Sequence, residues 1–182
     1  MEYGFEEVLL STDRLELRPF DFGDVDDYFG YAKDAEMSQY VVKPEPFTRR
    51  RAEEDVAGSI LNLEKKTPNF AVVLDGRVIG DVWLDINQEN EVGEIGFSIA
   101  RAHWGNGLAT EASAGVIEWG FKTERLAKIS ARSDPLDKRA MRVVEKLRMS
   151  QEGVLRSHGI RRGNRVDYAV FGILRGEWDQ RD

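Results

Sequence analysis

The stretch Val92-Gly93-Glu94-Ile95-Gly96-Phe97-Ser98-Ile99 alternates, with Ile95, Phe97 and Ile99 on one face and Glu94, Gly96 and Ser98 on the other. That two-residue period is a strand. Shortly after it, Ala109, Ala112, Val116 and Gly120 recur at helical spacing, and Leu108 and Ile117 widen the stripe. Between the two lies Ala102-His103-Trp104-Gly105-Asn106-Gly107. A strand, a glycine-rich turn and a helix start therefore follow one another, and the rest of the chain has to be arranged around this junction. The first helical turn leaves backbone N–H groups without partners, and the helix dipole adds about half a positive charge there. Such a place suits a phosphate.

Two glycines at a helix start also read as a tight turn that needs positive φ. No Lys-Ser or Lys-Thr pair follows Gly105-Asn106-Gly107, which excludes a P-loop. Thr110 stands where the third glycine of a dinucleotide fingerprint belongs, and the motif follows an antiparallel-looking meander.

The meander is legible in Phe70–Leu74 and Arg77–Ile86, which flank Asp75-Gly76, a hairpin signal because both turn positions take positive φ. Asn87–Glu91 forms a second polar turn into the Val92 strand. Upstream, Met1–Leu10 reads as a loose lead-in and Ser11–Phe20 as a strand with Leu15, Leu17 and Pro19 alternating against Arg14, Glu16 and Arg18. Helix spacing follows over Asp21–Ala32, through Val25, Tyr28, Phe29 and Ala32, and over Arg49–Lys66, through Ala52, Val56, Ile60 and Leu63. Arg49-Arg50-Arg51 reads as a solvated helix end. Downstream come a short strand at Lys128–Arg132, a helix capped by Asp137 with Ala140, Val143, Val144 and Leu147 inward, and strands at Gln151–His158 and Val166–Leu174.

With 182 residues and no repeat or linker, the chain reads as one domain spanning 1–182. It has no cysteine, hence neither disulfide nor thiol nucleophile, and its two histidines, His103 and His158, lack metal-ligand spacing, so no metal is expected. A net charge of −7 argues against a nucleic-acid surface and favours cationic partners such as amines. No segment approaches the roughly 20 apolar residues of a membrane span. The acidic start, with Glu2, Glu6 and Glu7, does not read as a signal peptide, so a cytoplasmic location is expected.

Trp104-Gly105-Asn106-Gly107-Leu108-Ala109 resembles the pyrophosphate loop of the GNAT superfamily of acyl-CoA-dependent N-acetyltransferases. The pattern there is Gln/Arg-x-x-Gly-x-Gly/Ala, with Trp104 here replacing its first residue. Tryptophan followed by Gly-x-Gly-Leu-Ala-Thr-Glu-Ala is similar to the branch that contains the ribosomal-protein alanine and serine N-acetyltransferases. Thr12-x-Arg14-Leu15-x-Leu17-Arg18-Pro19 looks like that branch's first strand, and the resemblance runs from Ser11 to about Trp178. Where the branch reads Asp-Pro-x-Asn-x-x-Ser and then Glu-Lys-Leu-Gly-Phe, this chain has Asp137 for the asparagine, Ala140 for the serine and Arg148-Met149 for Gly-Phe.

The resemblance implies a mixed α/β fold: a central mixed, mostly antiparallel sheet of about seven strands with about four helices on both faces. Its fourth and fifth strands splay apart around the pantetheine of acetyl-CoA. Backbone groups of Phe97, Ser98 and Ile99 then hold the pantetheine, and Trp104, Gly105, Asn106, Gly107, Leu108, Ala109 and Thr110 the pyrophosphate. Asp137 accepts a pantetheine N–H or serves only as a helix cap, since a carboxylate cannot donate. Tyr40 and Phe47 either wall the acceptor pocket or pack a helix joint. Glu94 is the candidate general base, directly or through water, the alternative being a surface glutamate beside Glu91. His158 is a second candidate, with Asp167 and Tyr168 behind it. The resemblance also allows a homodimer.

Acid–base machinery is thin, because Ala140 replaces the serine and Val144 occupies a position where many relatives carry tyrosine. That suits an acceptor with a low pKa, such as a protein or peptide N-terminal amine. Two other readings stay open: a small-molecule amine (aminoglycoside-like, polyamine or amino acid) as acceptor, or a catalytically silent acyl-CoA-binding module.

Overall fold

The computed structural model describes residues 8–40, 46–61 and 67–180. The strand expected over Ser11–Phe20 is divided. Thr12 donates its backbone N–H to Leu15 O (2.9 Å) and takes the Leu15 N–H on its hydroxyl (3.0 Å), closing a turn. β1 (Leu10–Ser11) then folds back on β2 (Glu16–Pro19), so Leu10 belongs to the sheet and not to a loose lead-in. Asp24 is also drawn out of the expected first helix. Buried, it takes a fork of two 2.8 Å bonds from Arg18 and the N–H of Asp21, fixing a 3-10 turn at Phe22–Asp24. α1 (Val25–Ala32) starts only after it, and α2 spans Arg49–Leu61. The three arginines at its start pair with carboxylates one turn on: Arg49 with Glu53, Arg50 with Glu54 and Arg51 with Asp55. Leu63, Lys65, Lys66 and Pro44 lie outside the described residues.

β3 (Asn69–Leu74) and β4 (Arg77–Asn87) are joined by Asp75-Gly76, at φ 50° and 75°. β5 (Val92–Ile99), α3 (Leu108–Lys122), β6 (Lys128–Ser133), α4 (Lys138–Lys146), β7 (Ser150–Arg161), β8 (Asn164–Leu174) and α5 (Arg175–Asp179) follow. The sheet has eight strands in the order β1-β2-β3-β4-β5-β6-β8-β7, antiparallel except for β5 with β6. β1 makes it larger than expected, and α5 adds a helix. In α5 the Glu177 carboxylate takes the Leu174 N–H (2.9 Å), the one half of a capping box that a leucine N-cap allows.

Alternation sends side chains to two cores. Leu17, Phe70, Val72, Val82, Leu84, Ile95 and Ile99 meet α3 and α4 on one face. Ala71, Val73 and Val78 meet α1 and α2 on the other. A bulge between Val72 and Val73 inserts Ile79 and lets one strand serve both faces. α3 crosses directly behind β5 because its glycines let it approach: a Cβ on Gly120 would lie 3.0–3.1 Å from Ile129 and Leu84.

Candidate active site

β5 and β6 pair only from Val92–Lys128 to Ile95–Ala131. Beyond that point Gly96–Ile99 stay on β4 and Arg132–Ser133 stay on β8, so the sheet forks. The fork opens into a cleft of about 430 Å³, walled by β5, the loop before α3, α4 and the end of β6.

At one end lies the glycine loop. Gly105 and Gly107 both have φ 79°, a conformation costly for any residue with a Cβ, and Gly107 is the α3 N-cap without side-chain help. The first hydrogen bond into α3 runs from Glu111 N–H to Gly107 O (3.0 Å), which leaves the Leu108, Ala109 and Thr110 N–H groups free of intrahelical partners. Trp104 anchors the loop by donating its indole N–H to Ile99 O (2.6 Å), and the Arg139 guanidinium stacks 3.8 Å above its ring. Tryptophan thus brings a cation from α4 to a loop that carries none itself. Arg14 ties the loop to β2: Nη1 donates to Asn106 O (3.1 Å) and Nε to Glu111 Oε2 (2.7 Å). Burial opposes ionisation of Glu111, but bonds from Thr12, the Arg14 N–H and the Arg14 side chain outweigh it, holding the carboxyl below its ordinary value.

Asp137 caps α4, its Oδ1 accepting the N–H groups of Arg139 (3.1 Å) and Ala140 (3.2 Å), while its side chain also lines the cleft. Below it, Ala140, Val143 and Val144 give an apolar wall, flanked by Arg139, Arg142 and Lys146. That basic row was readable, since positions 139, 142 and 146 share one helix face.

The other end is made of side chains. Trp83 of β4 lies flat on Gly96, the first β5 residue past the fork: a Cβ there would be 2.2 Å from the indole. Its indole N–H has no partner among the described residues. Met37, Tyr40, Tyr168 and Arg132 complete this end. Asp134, buried at the close of β6, pairs with Arg161 from the β7–β8 hairpin, and the Arg161 guanidinium lies 5.2 Å from the Tyr40 ring. The hairpin reaches the cleft because the β7–β8 ladder breaks between Leu155 and Gly159, and Gly159 leaves room for the Tyr168 ring.

The structure gathers Phe97, Ser98, Ile99, Trp104, Gly105, Gly107, Leu108, Ala109, Thr110, Asp137 and Tyr40 around one cleft. The side chains of five other candidates do not line it. Asn106 is exposed, its amide donating to His103 O (3.2 Å) and Trp104 O (3.4 Å). Phe47 packs against Tyr28 in the second core, at 6.3 Å between ring centres. His158 is exposed on the β7 bulge, 6.1 Å from the Tyr168 ring. Glu94 lies before the fork, bound to Arg132 Nε at 2.8 Å. Asp167 takes the Ser157 N–H (2.7 Å) and fixes the bulge. Trp83, Arg132, Asp134 and Arg161 are the residues that sequence patterns miss, because tertiary contacts alone bring them together.

A sheet forked between parallel strands, with one branch leading into a glycine-capped helix, is the arrangement that the resemblance to acyl-CoA-dependent N-acetyltransferases implies. The chain belongs to the GNAT acetyltransferases: residues 14–150 match the family described as "Acetyltransferase (GNAT) domain". It is similar to the N-acetyltransferase p20 of Bacillus licheniformis, 32% identical over 93% of this chain and 97% of that one. Its fold is that of RimJ from Mycobacterium smegmatis, solved in complex with CoA-disulfide, at TM-score 0.87 and 19% identity over 99% and 93% of the two chains. The ribosomal-protein-S5-alanine acetyltransferase of Vibrio fischeri is alike too, at TM-score 0.83 and 19% identity over 94% and 99%. The protein is therefore an acyl-CoA-dependent N-acetyltransferase.

Proposed function

We propose that the cleft takes acetyl-CoA, its pyrophosphate on the Gly105–Thr110 backbone, and passes the acetyl group directly to the α-amine of a protein or peptide N-terminus. In this reading the pantetheine lies along Phe97–Ile99, with Arg139, Arg142 and Lys146 beside the CoA phosphates. Ile99 O already accepts the Trp104 indole N–H, so the pantetheine relies on the other backbone groups of this strand. The amine nitrogen forms its bond to the acetyl carbon as the carbon–sulfur bond breaks, and the amine gives up its proton to solvent.

One observation carries the choice of acceptor: among the described residues, each carboxylate at the cleft is already engaged. Glu94 holds Arg132 at 2.8 Å, Asp134 holds Arg161, Asp137 caps α4, and Glu36 lies 3.7 Å from Arg101. Among the described residues no carboxylate is left to deprotonate a strongly basic amine. An α-amine, with a pKa of about 7.7–8.0, is partly neutral near pH 7.5, whereas a lysine amine at about 10.4 costs roughly 3–4 kcal/mol more. Glu94 then acts through Arg132, fixing that guanidinium at the cleft edge. The likeness to the ribosomal-protein-S5-alanine acetyltransferase supports the same acceptor class.

Thiol release from acetyl-CoA tests this with two sets of peptides: lysine-free ones with a free N-terminal alanine, serine or methionine, and N-blocked ones carrying a lysine. Release with the first set alone is expected. Equal release with blocked lysine peptides would refute it.

A further inference from the structure

The glycine loop also holds a reactive pair. Asn106 is the only asparagine of the sequence followed by glycine. Its side chain is exposed and, among the described residues, held only by bonds of 3.2 and 3.4 Å to the carbonyls of His103 and Trp104. The Gly107 nitrogen next to it has no side chain to crowd it, and its N–H has no hydrogen-bond acceptor among the described residues. The peptide unit joining them is polarised from both sides. Arg14 Nη1 donates to the carbonyl of that same unit, Asn106 O, at 3.1 Å, and the positive end of α3 begins at Gly107. Both draw charge away from the Gly107 nitrogen and favour loss of its proton.

We propose that Asn106 is a self-modification site whose conversion to aspartate or isoaspartate switches the loop from binding a phosphate to repelling it. The deprotonated Gly107 nitrogen attacks the Asn106 amide carbon. A nitrogen–carbon bond forms, the carbon–nitrogen bond of the amide breaks, and the amide leaves as ammonia with the proton. Water then opens the resulting cyclic imide at either carbonyl. The net change is one water consumed and one ammonia released, and only solvent is needed. The product carries a new negative charge on the loop that offers its N–H groups to phosphate, and the isoaspartate form also lengthens the backbone there. Like charges so juxtaposed are strongly unfavourable. The modification itself needs no ligand; its effect on binding, and protection by bound acetyl-CoA, rest on the functional reading above.

The test incubates pure protein at mildly alkaline pH with and without saturating acetyl-CoA. Conversion is followed by peptide mapping, isoaspartate labelling and ammonia release, and acetyl-CoA affinity is measured calorimetrically before and after. Conversion at 106 is expected ahead of the exposed Asn87, Asn90 and Asn164, with acetyl-CoA affinity falling at least tenfold in step, and acetyl-CoA slowing both. Asn106→Gln is expected to keep its own starting affinity throughout, and Arg14→Met to convert more slowly than the parent. An Asn106 amide that outlasts those of Asn87, Asn90 and Asn164, or converted protein that binds as fresh protein does, overturns the proposal. Fresh protein that converts at 106 yet never binds acetyl-CoA upholds the modification and refutes the functional reading instead.

Discussion

The two ends of the cleft are built from different materials. At the loop end, the proposed binding is by backbone: Gly105 and Gly107 at φ 79° and the uncapped first turn of α3 present N–H groups that depend on conformation more than on side chains. At the acceptor end, Trp83, Tyr40, Arg132, Tyr168, Asp134 and Arg161 converge from five separate stretches of chain. The loop end therefore takes its conformation from local glycines, with Arg14 and Arg139 bracing it from afar, while the acceptor end is assembled wholly from side chains distant in sequence. If so, substitutions at one end leave the other working.

The largest effect is expected for Gly107→Asp. An aspartate at φ 79° is strained by about 1–2 kcal/mol and sets a charge against the pyrophosphate, so acetyl-CoA affinity should fall roughly a hundredfold or more in calorimetry. Next is Arg161→Met, which leaves buried Asp134 without its cation and should cost about 3 kcal/mol of stability. For a chain of this size that is a drop of roughly 6–12 °C in melting midpoint, measured by calorimetric scanning. Trp83→Ala should cut kcat/KM for the acceptor roughly tenfold to a hundredfold by removing the surface on which it is oriented, without changing acetyl-CoA affinity.

Glu111→Gln comes fourth, at about 1–2 kcal/mol, because it weakens the tie to Thr12 and Arg14. Its pH sign follows from the lowered carboxyl. The stabilisation is complete above the ordinary glutamate value and is lost as pH falls through the lower folded value. The parent protein should therefore lose melting temperature on acidification more steeply than the glutamine variant. The smallest effect is expected for Glu94→Gln. An ion pair this exposed contributes little, so thiol release should change less than about threefold. A fall of a hundredfold or more would make Glu94 the general base after all.

This contrast also explains what could be read from the sequence. Glycines at the Gly105-x-Gly107 turn, the period change from β5 to α3 and the Asp75-Gly76 hairpin are local signals, and each names its own structure. The β5–β6 fork is not local; its parallel pairing followed from family resemblance and not from periodicity. Ser11–Phe20 misled because Thr12 turns the chain with its hydroxyl, a side-chain bond invisible to an alternation pattern. Asp24 falls within the helix expected over Asp21–Ala32, but Arg18 holds it in the turn before α1. Glu94 sits on the polar face of β5 as expected, yet its partner Arg132 lies on a strand 38 residues further along. Phe47 and Tyr40 looked alike in sequence; a core and a cleft separate them.

The most direct test of the separation between the two ends is calorimetric titration of acetyl-CoA into the parent protein, Gly107→Asp and Trp83→Ala under one set of conditions. The account predicts tight binding by the parent and Trp83→Ala and binding at least roughly a hundredfold weaker by Gly107→Asp. Equal loss in both variants would contradict it, as would binding by Gly107→Asp that matches the parent.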